Sequence, residues 1–421
     1  MIVGLIYLAI FVAAFCVYMV WNRTHESRHD YTSLKTVTFG DESTVSANRF
    51  ASIVSVIALF ALWGAFTGSK IVPIHVPGPF MGDTSFEYTA TNPAGQTANA
   101  TVFLRVHPIG EDVALPDAPG GSGFAKDDAV KIGAWRSGLV KPENNDEGGK
   151  EEGYKVTAID GKPIAPEQTV RFAHGDITMT SKGTLSVKPD RGLQMEPIWL
   201  PSPEAVLFRF IEIAKEGYKN FSLWDHLGSS LWRVVLGFFL GSLVGIPLGY
   251  AMGLSDWFRG WFDPIVEFMR PVPPLALIPL VIIWFGIGEE GKIILLFLAA
   301  LWIMTIAARA GVSGVRISKV HAAYSLGASK WQILKNVIVP NSLPEIFTGA
   351  RVAMGVCWGT VVAAELVAAE KGAGMMIVNA SKFQLTDIVI MGIILIGIIG
   401  YGIDILMRMA EKWLVPWKGR G

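Results

Sequence analysis

Four charged residues fall inside or at the start of long apolar stretches: Arg233, Arg351, Glu365 and Asp404. A charge at the centre of a membrane helix costs roughly 2.5–3.5 kcal/mol on insertion scales, so each needs a reason. Two explanations fit. Either the four pair with one another or reach to the interface, or Arg233 or Arg351 gives an anionic solute part of its path while Glu365 holds the geometry. Trp284 and Trp358, in the same kind of stretch, complete a candidate pathway set, although tryptophan also belongs in interfacial belts and packed bundles. A second set lies in a polar stretch between two apolar ones: His321-Ala322-Ala323, Gly327-Ala328-Ser329 and Pro340. The chemistry expected there is mechanical. Small residues let another protein approach the backbone closely, and Pro340 is expected to stop the helix. Trp331, Leu334, Val337 and Ile338 recur at three- and four-residue spacing and predict one apolar stripe on an amphipathic helix near 318–340.

Other chemistries find no residues to carry them. The two cysteines, Cys16 and Cys357, lie in apolar segments, and the seven histidines show no metal-ligand spacing, so neither a disulfide framework nor a metal site is expected. Gly149-Lys150, Gly161-Lys162 and Gly291-Lys292 are followed by Glu, Pro and Ile. A phosphate-cradling loop needs Ser or Thr there, so this chain is not expected to hydrolyse ATP, to bind a cofactor or to be an enzyme. A formal net charge of zero with no basic patch argues against a nucleic-acid partner.

The elements that would position these residues are membrane helices. The chain has 421 residues, 51% of them hydrophobic and 17% charged, with a mean hydropathy of +0.41, which suits a membrane protein with a sizeable soluble part. Seven stretches can cross a bilayer core of roughly 30 Å: 2–21, 51–68, 231–253, 272–285, 293–310, 352–369 and 388–407. The fourth is short and proline-rich and predicts a strained start. The first has no basic residue before its apolar run and no small-residue cleavage site after it, so it reads as a retained anchor. Arg23, Arg28, Lys35 and Arg49 lie between spans one and two, Arg316, Lys319, Lys330 and Lys335 between five and six, and Arg408, Lys412, Lys418 and Arg420 after the last. The excess of positive charge on that side places the C-terminus and the 318–340 helix in the cytoplasm and the N-terminus outside. In span three, Gly237, Gly241, Gly245, Gly249 and Gly253 recur every fourth residue, a helix face for close packing; Gly355 and Gly359 repeat the device in span six.

Between spans two and three lies a polar stretch that the same topology puts outside the cytoplasm. Val102, Leu104 and Val106 alternate with Phe103, Arg105 and His107, predicting a strand over 97–107 paired through Asn92-Pro93-Ala94-Gly95 with 85–91. Further strands are expected at 154–159, 169–172, 177–180 and 184–187, with loose connections at 116–123 and 144–153. The expected architecture is an all-α polytopic bundle of about seven membrane helices carrying a β-rich, sandwich-like extracytoplasmic insert. Its parts are 1–68 (a helix pair), 69–198 (the insert) and 199–421 (the bundle).

Over 196–417 the chain resembles the permease subunits of ABC importers, in particular the nitrate, taurine, aliphatic sulfonate and bicarbonate group. The resemblance rests on the coupling pattern 321–340 and on Trp199-Leu200-Pro201-Ser202-Pro203, Leu227-Gly228-Ser229-Ser230-Leu231-Trp232-Arg233-Val234, Arg270-Pro271-Val272-Pro273-Pro274-Leu275-Ala276, Trp284-Phe285-Gly286-Ile287-Gly288-Glu289 and Ala363-Ala364-Glu365-Leu366. It departs at His321, where glutamate is usual, at Val337 and Val339, and in the N-terminal pair of spans with its large insert. The resemblance implies a multi-pass protein of the bacterial inner membrane, paired with a second copy of itself. Its other implied partners are two ATP-binding cassette subunits, which hold the ATP and magnesium, and an extracytoplasmic solute-binding protein. A rival reading is a membrane-anchored sensor that binds its ligand through the β-rich domain.

Overall fold

The computed structural model describes residues 2–25, 48–121, 123–147 and 152–417. They fall into two compact units, Met1–Glu204 and Ala205–Gly421. Arg28, Lys35, Lys418 and Arg420 of the orientation argument lie outside the described residues, as does part of the 144–153 connection.

The first unit opens with two apolar helices, α1 (Ile2–His25) and α2 (Arg49–Thr67). α2 starts where the Asn48 side chain accepts the Ala51 N–H at 3.2 Å, and ends where Gly68 turns left-handed at φ +64°. A hydrogen bond between the Tyr7 hydroxyl and Ser55 Oγ (2.6 Å) ties the two helices.

Nine strands follow: β1 (Gly82–Thr91), β2 (Thr97–His107), β3 (Asp128–Gly133), β4 (Gly138–Val140), β5 (Lys155–Ile159), β6 (Lys162–Pro163), β7 (Thr169–Phe172), β8 (Gly175–Met179) and β9 (Leu185–Pro189). They form two sheets, ordered β3-β2-β1-β5-β6 and β4-β9-β8-β7. Val102, Leu104 and Val106 are buried, as their alternation predicts, in one core with Phe86 and Tyr88 of β1, where Phe86 pairs with Val102 and Tyr88 with Ala100. Ile177, Leu185 and Val187 of the second sheet join the same core, where the Phe86 and Phe172 rings meet at 5.6 Å, so the insert is a sandwich around one apolar layer. All the expected strands are present. β3, β4 and β6 are additions to the expected set: β4 and β6 are too short to show a period, and β3 adds parallel to β2 with only Ile132 fully buried.

An acidic cluster sits at the start of β3. Asp146 accepts the Lys126 N–H (2.7 Å) and the Tyr88 hydroxyl (3.0 Å), while Oδ2 of Asp128 and Oδ2 of Asp146 are buried without partners. Burial first, then the charges of Asp146 and Asp127, raise the Asp128 carboxyl from 3.8 to about 7. The unfolded chain gives up that proton near 3.8, whereas the folded insert keeps it to about 7. Stability is therefore full below about 4 and declines as pH rises through about 7. Amide exchange of residues 128–133 in the full-length protein, corrected for intrinsic rates, is expected to be slower at pH 5 than at pH 8. Asp128→Asn should abolish the difference; a difference that persists in Asp128→Asn refutes this assignment.

The second unit is helical: α3 (Pro203–Glu216), α4 (Leu223–Leu254), α5 (Asp256–Met269), α6 (Ile278–Phe285, preceded by a 3-10 turn Pro274–Leu277), α7 (Glu289–Ser313), α8 (Ile317–Ser325), α9 (Lys330–Ile333), α10 (Val339–Ala368), α11 (Ala373–Lys382) and α12 (Thr386–Leu414). Counting the continuous Lys330–Leu366 stretch as one, six helices among the described residues are long and apolar enough to cross a membrane, two of them in the first unit. The expected fourth span is instead the second limb of a broken pair, α5 and Pro274–Phe285, bent by 92°. Pro271, Pro273 and Pro274 remove the N–H groups a straight helix would need there.

The glycine row of α4 faces α7. A Cβ on Gly241 would lie 2.6 Å from the Ala300 Cβ, one on Gly245 2.7 Å from Leu301 O, and one on Gly253 2.8 Å from the Val312 Cβ. Partner numbers rise with glycine numbers, so the two helices run parallel, backbone against backbone. Gly355 and Gly359 of α10 meet nothing within 4 Å.

Candidate functional site: a helical corner and a buried charge node

The expected single amphipathic helix near 318–340 is two helices meeting at a corner. α8 closes at Gly327, whose φ of +82° suits a residue without Cβ. The Ala328 N–H donates to Ala323 O (3.1 Å) and the Gly327 N–H to Tyr324 O (2.9 Å). This pair of bonds satisfies the last carbonyls of α8 and fixes the distance from Ala323 to Gly327. Two residues later Ser329 caps α9: the Gln332 N–H reaches Ser329 Oγ (3.4 Å) and the Ser329 N–H reaches Gln332 Oε1 (2.8 Å). The spacing Ser-x-x-Gln is the signal in the sequence that marks this second start, and the helical period on either side of it conceals it.

Two expectations about this segment are corrected. Trp331 is not in the buried stripe: it is 69% exposed, and Ile333 is the buried residue, flanked by half-buried Leu334, Val337 and Ile338. Pro340 does not stop the helix. Leu334–Ile338 form a π turn that leads directly into α10, with Pro340 near the start. The wider turn relaxes the contact between the proline ring and the preceding turn, and near a helix start the missing N–H is tolerated. His321, Ala322, Gly327 and Ser329 are exposed, Ala323 and Ala328 half-buried, and Leu326 projects with 88% exposure.

At the other end of α7 and α10 lies a node of charges. Arg233 of α4 is 1% exposed. Its guanidinium donates to both Glu289 oxygens (2.5 and 2.7 Å), to Glu365 Oε1 (2.6 Å) and to Lys371 O (3.1 Å). Lys292 Nζ reaches Glu289 Oε1 at 3.0 Å. The two cations and two carboxylates balance: Arg233, Lys292 and Glu365 are buried, and the Glu289 side chain is 56% exposed. Glu365 also accepts Ser230 Oγ (2.7 Å) and the Gly374 N–H (2.9 Å), while the Ala373 N–H donates to Ser230 Oγ (3.0 Å) and the Gly372 N–H to His226 Nδ1 (3.1 Å). Gly372, at φ +147°, carries its loop so close over Glu365 that a Cβ would lie 2.6 Å from Oε1.

The structure therefore brings Arg233 and Glu365 together and leaves the other pathway candidates apart from them. Arg351 pairs with Glu411 and lies 3.5 Å from Asp404, which also binds Arg408 (2.5 Å). Trp358 is buried, its indole N–H on Ile396 O (3.0 Å), and Trp284 is 63% exposed. Sequence reading misses Glu289 and Lys292, whose three-residue spacing at a helix start is the available signal.

Residues 237–415 match the family described as binding-protein-dependent transport system inner membrane component. A taurine transport system permease protein of Escherichia coli (strain K12) is 48% identical over 53% of this chain and 82% of its own length. A putative aliphatic sulfonates transport permease protein of the same organism is 38% identical over 52% of this chain and 81% of its own. A bicarbonate transport system permease protein of Synechococcus elongatus is 30% identical over 50% and 76%.

Proposed function

This chain belongs to the binding-protein-dependent transport inner membrane family and is the permease subunit of an ABC importer, and on that premise we propose that its cargo is a small sulfonate or related anion, with an aminosulfonate favoured. ATP hydrolysis belongs to the ATP-binding partners, and a solute-binding protein delivers the cargo. The permease pairs with a second copy of itself, and the chain crosses the membrane seven times, the bent α5–α6 pair counting as one crossing. The basic loops put the corner and the C-terminus in the cytoplasm, and the N-terminus, the β insert and the charge node outside. Residues 1–68, 69–198 and 199–421 are then anchor, extracytoplasmic insert and permease core.

His321, Ala322, Ala323, Gly327, Ala328, Ser329 and Pro340 make the surface on which the ATP-binding subunit seats. The observation that carries this assignment is the corner itself: two capped helix ends hold Tyr324, Leu326 and Trp331 outward, 68%, 88% and 69% exposed. Such a knob fits a groove on a partner. Arg351 and Trp284 line the passage, Arg233 and Glu365 frame its outer end, and Trp358 braces α10 against α12.

The test is affinity co-purification from membranes, comparing wild type with Gly327→Trp. Nothing lies within 4 Å of a Cβ at Gly327, so the variant spares internal packing and alters the corner's backbone and surface. Wild type should retain an ATP-binding subunit that Gly327→Trp loses by about tenfold or more, the loss expected of a central interface residue. Equal retention by correctly inserted Gly327→Trp would refute the coupling assignment.

A further inference from the structure

A cleft of about 390 Å3 opens beside the charge node, lined in part by Trp224, Asp225, Trp232, Arg233, Glu289 and Lys371. We infer that this cleft is a binding site for a small zwitterion, one ammonium and one sulfonate or carboxylate a few bonds apart. The inference rests on the importer reading above and assigns the permease its own point of cargo recognition.

The charges of the lining divide into used and unused. Asp225 closes the capping box of α4, accepting the Ser222 N–H at 3.1 Å and Ser222 Oγ at 2.7 Å. Arg233 is fully engaged by Glu289 and Glu365. Two groups keep capacity. The Glu289 side chain is 56% exposed, and its oxygens have lone pairs beyond those Arg233 and Lys292 engage. Lys371 forms no ion pair among the described residues; its ammonium rests 5.8 Å over the Phe221 ring, an interaction weak enough to exchange for an anion.

The aromatic residues supply the rest. Trp224 and Trp232 stand on one face of α4, eight residues apart, and are 67% and 63% exposed. Gly228 lies midway between them, and a Cβ there would meet nothing within 4 Å. The indoles thus bracket roughly 12 Å of the helix, about two turns, and an ammonium group in the space between them can gain a ring face together with the Glu289 carboxylate. The anionic end of the same molecule reaches Lys371. A plain anion would meet two carboxylates with no ammonium to offset them, and a plain cation would meet Lys371. Only a molecule carrying both charges satisfies the whole lining.

The test uses the permease–ATPase complex purified without its binding protein, with saturation-transfer NMR of taurine, ethanesulfonate and ethylamine as probes. Wild type should saturate taurine and leave the two single-charge probes at background. Lys371→Met and Trp232→Ala, which leave the side chains of the node intact, should each weaken the taurine signal by about tenfold, as expected when one charge-assisted hydrogen bond or one cation–π interaction is removed. Stimulation of ATPase by taurine-loaded binding protein is measured on the same preparation. Stimulation without taurine saturation of the wild type, or variants that bind taurine unchanged, would overturn the cleft and leave the importer reading standing. Absence of both signals would overturn the cleft and the aminosulfonate reading together.

Discussion

An Arg233→Met permease is expected to unfold with a loss of about 3–5 kcal/mol, the effect of leaving one member of a buried ion pair without its partner. Glu365 is the member left behind: its side chain is fully buried, held by Ser230, Gly374 and the guanidinium that the variant lacks. Glu289 can turn to solvent and Lys292 can follow it; Glu365 has nowhere to go. Arg233→Met with Glu365→Gln should recover much of the loss, because the amide oxygen still accepts from Gly374 and no net charge remains. Cys357 is fully buried and supplies the measurement, since a thiol-reactive dye labels it only on unfolding; Cys16, exposed, is first replaced by serine. A single Arg233→Met variant with the wild-type midpoint would show that the node contributes nothing to stability.

Gly249→Leu is expected to prevent assembly of the bundle. A Cβ at Gly249 would already press on Thr305 O and lie 2.6 Å from the Ala308 Cβ, so the isobutyl group has no rotamer that avoids α7. Gly249→Ala should cost about 1–3 kcal/mol, the usual range for overpacking. Gly355→Ala in α10 is the matched control, because open space lies over that position and the subunit's own fold should tolerate it. Dye labelling of Cys357 in mild detergent would separate the three variants. Equal midpoints for Gly249→Ala and Gly355→Ala would disprove the close approach of α4 and α7.

These two experiments probe features that sequence makes visible to different degrees. The glycine row is legible because a period of four on an apolar helix has a direct packing meaning, and all five glycines meet α7. The hairpin β1–β2 is legible because a turn sequence and an alternation of apolar residues fall together. The charge node is half legible. Arg233 and Glu365 stand out in apolar surroundings, but Glu289 and Lys292 sit where a helix begins, and charges there are ordinary. The corner reads as one helix because Ala322 to Ile338 carries a nearly continuous helical period. Gly327 and Ser329 divide it, and only the reciprocal cap between Ser329 and Gln332 announces the second start. Pro340 misleads because proline's effect is judged against a regular α-helix, whereas the preceding turn is wide.

The parallel course of α4 and α7 has a consequence for biosynthesis. Neighbours that run the same way cannot insert as a hairpin, because a return segment must come between them. Gly237 is made 59 residues before its partner Leu296 (296 − 237). At roughly 5–20 residues per second, α4 waits about 3–12 s in the bilayer before α7 arrives to cover it. During that interval its future contact face is bare glycine, which offers lipid no large side chain and a competing helix a ready slot. A row of glycines suits the finished pair, and it also makes the nascent chain most open to wrong partners until Glu289–Ser313 has entered the membrane.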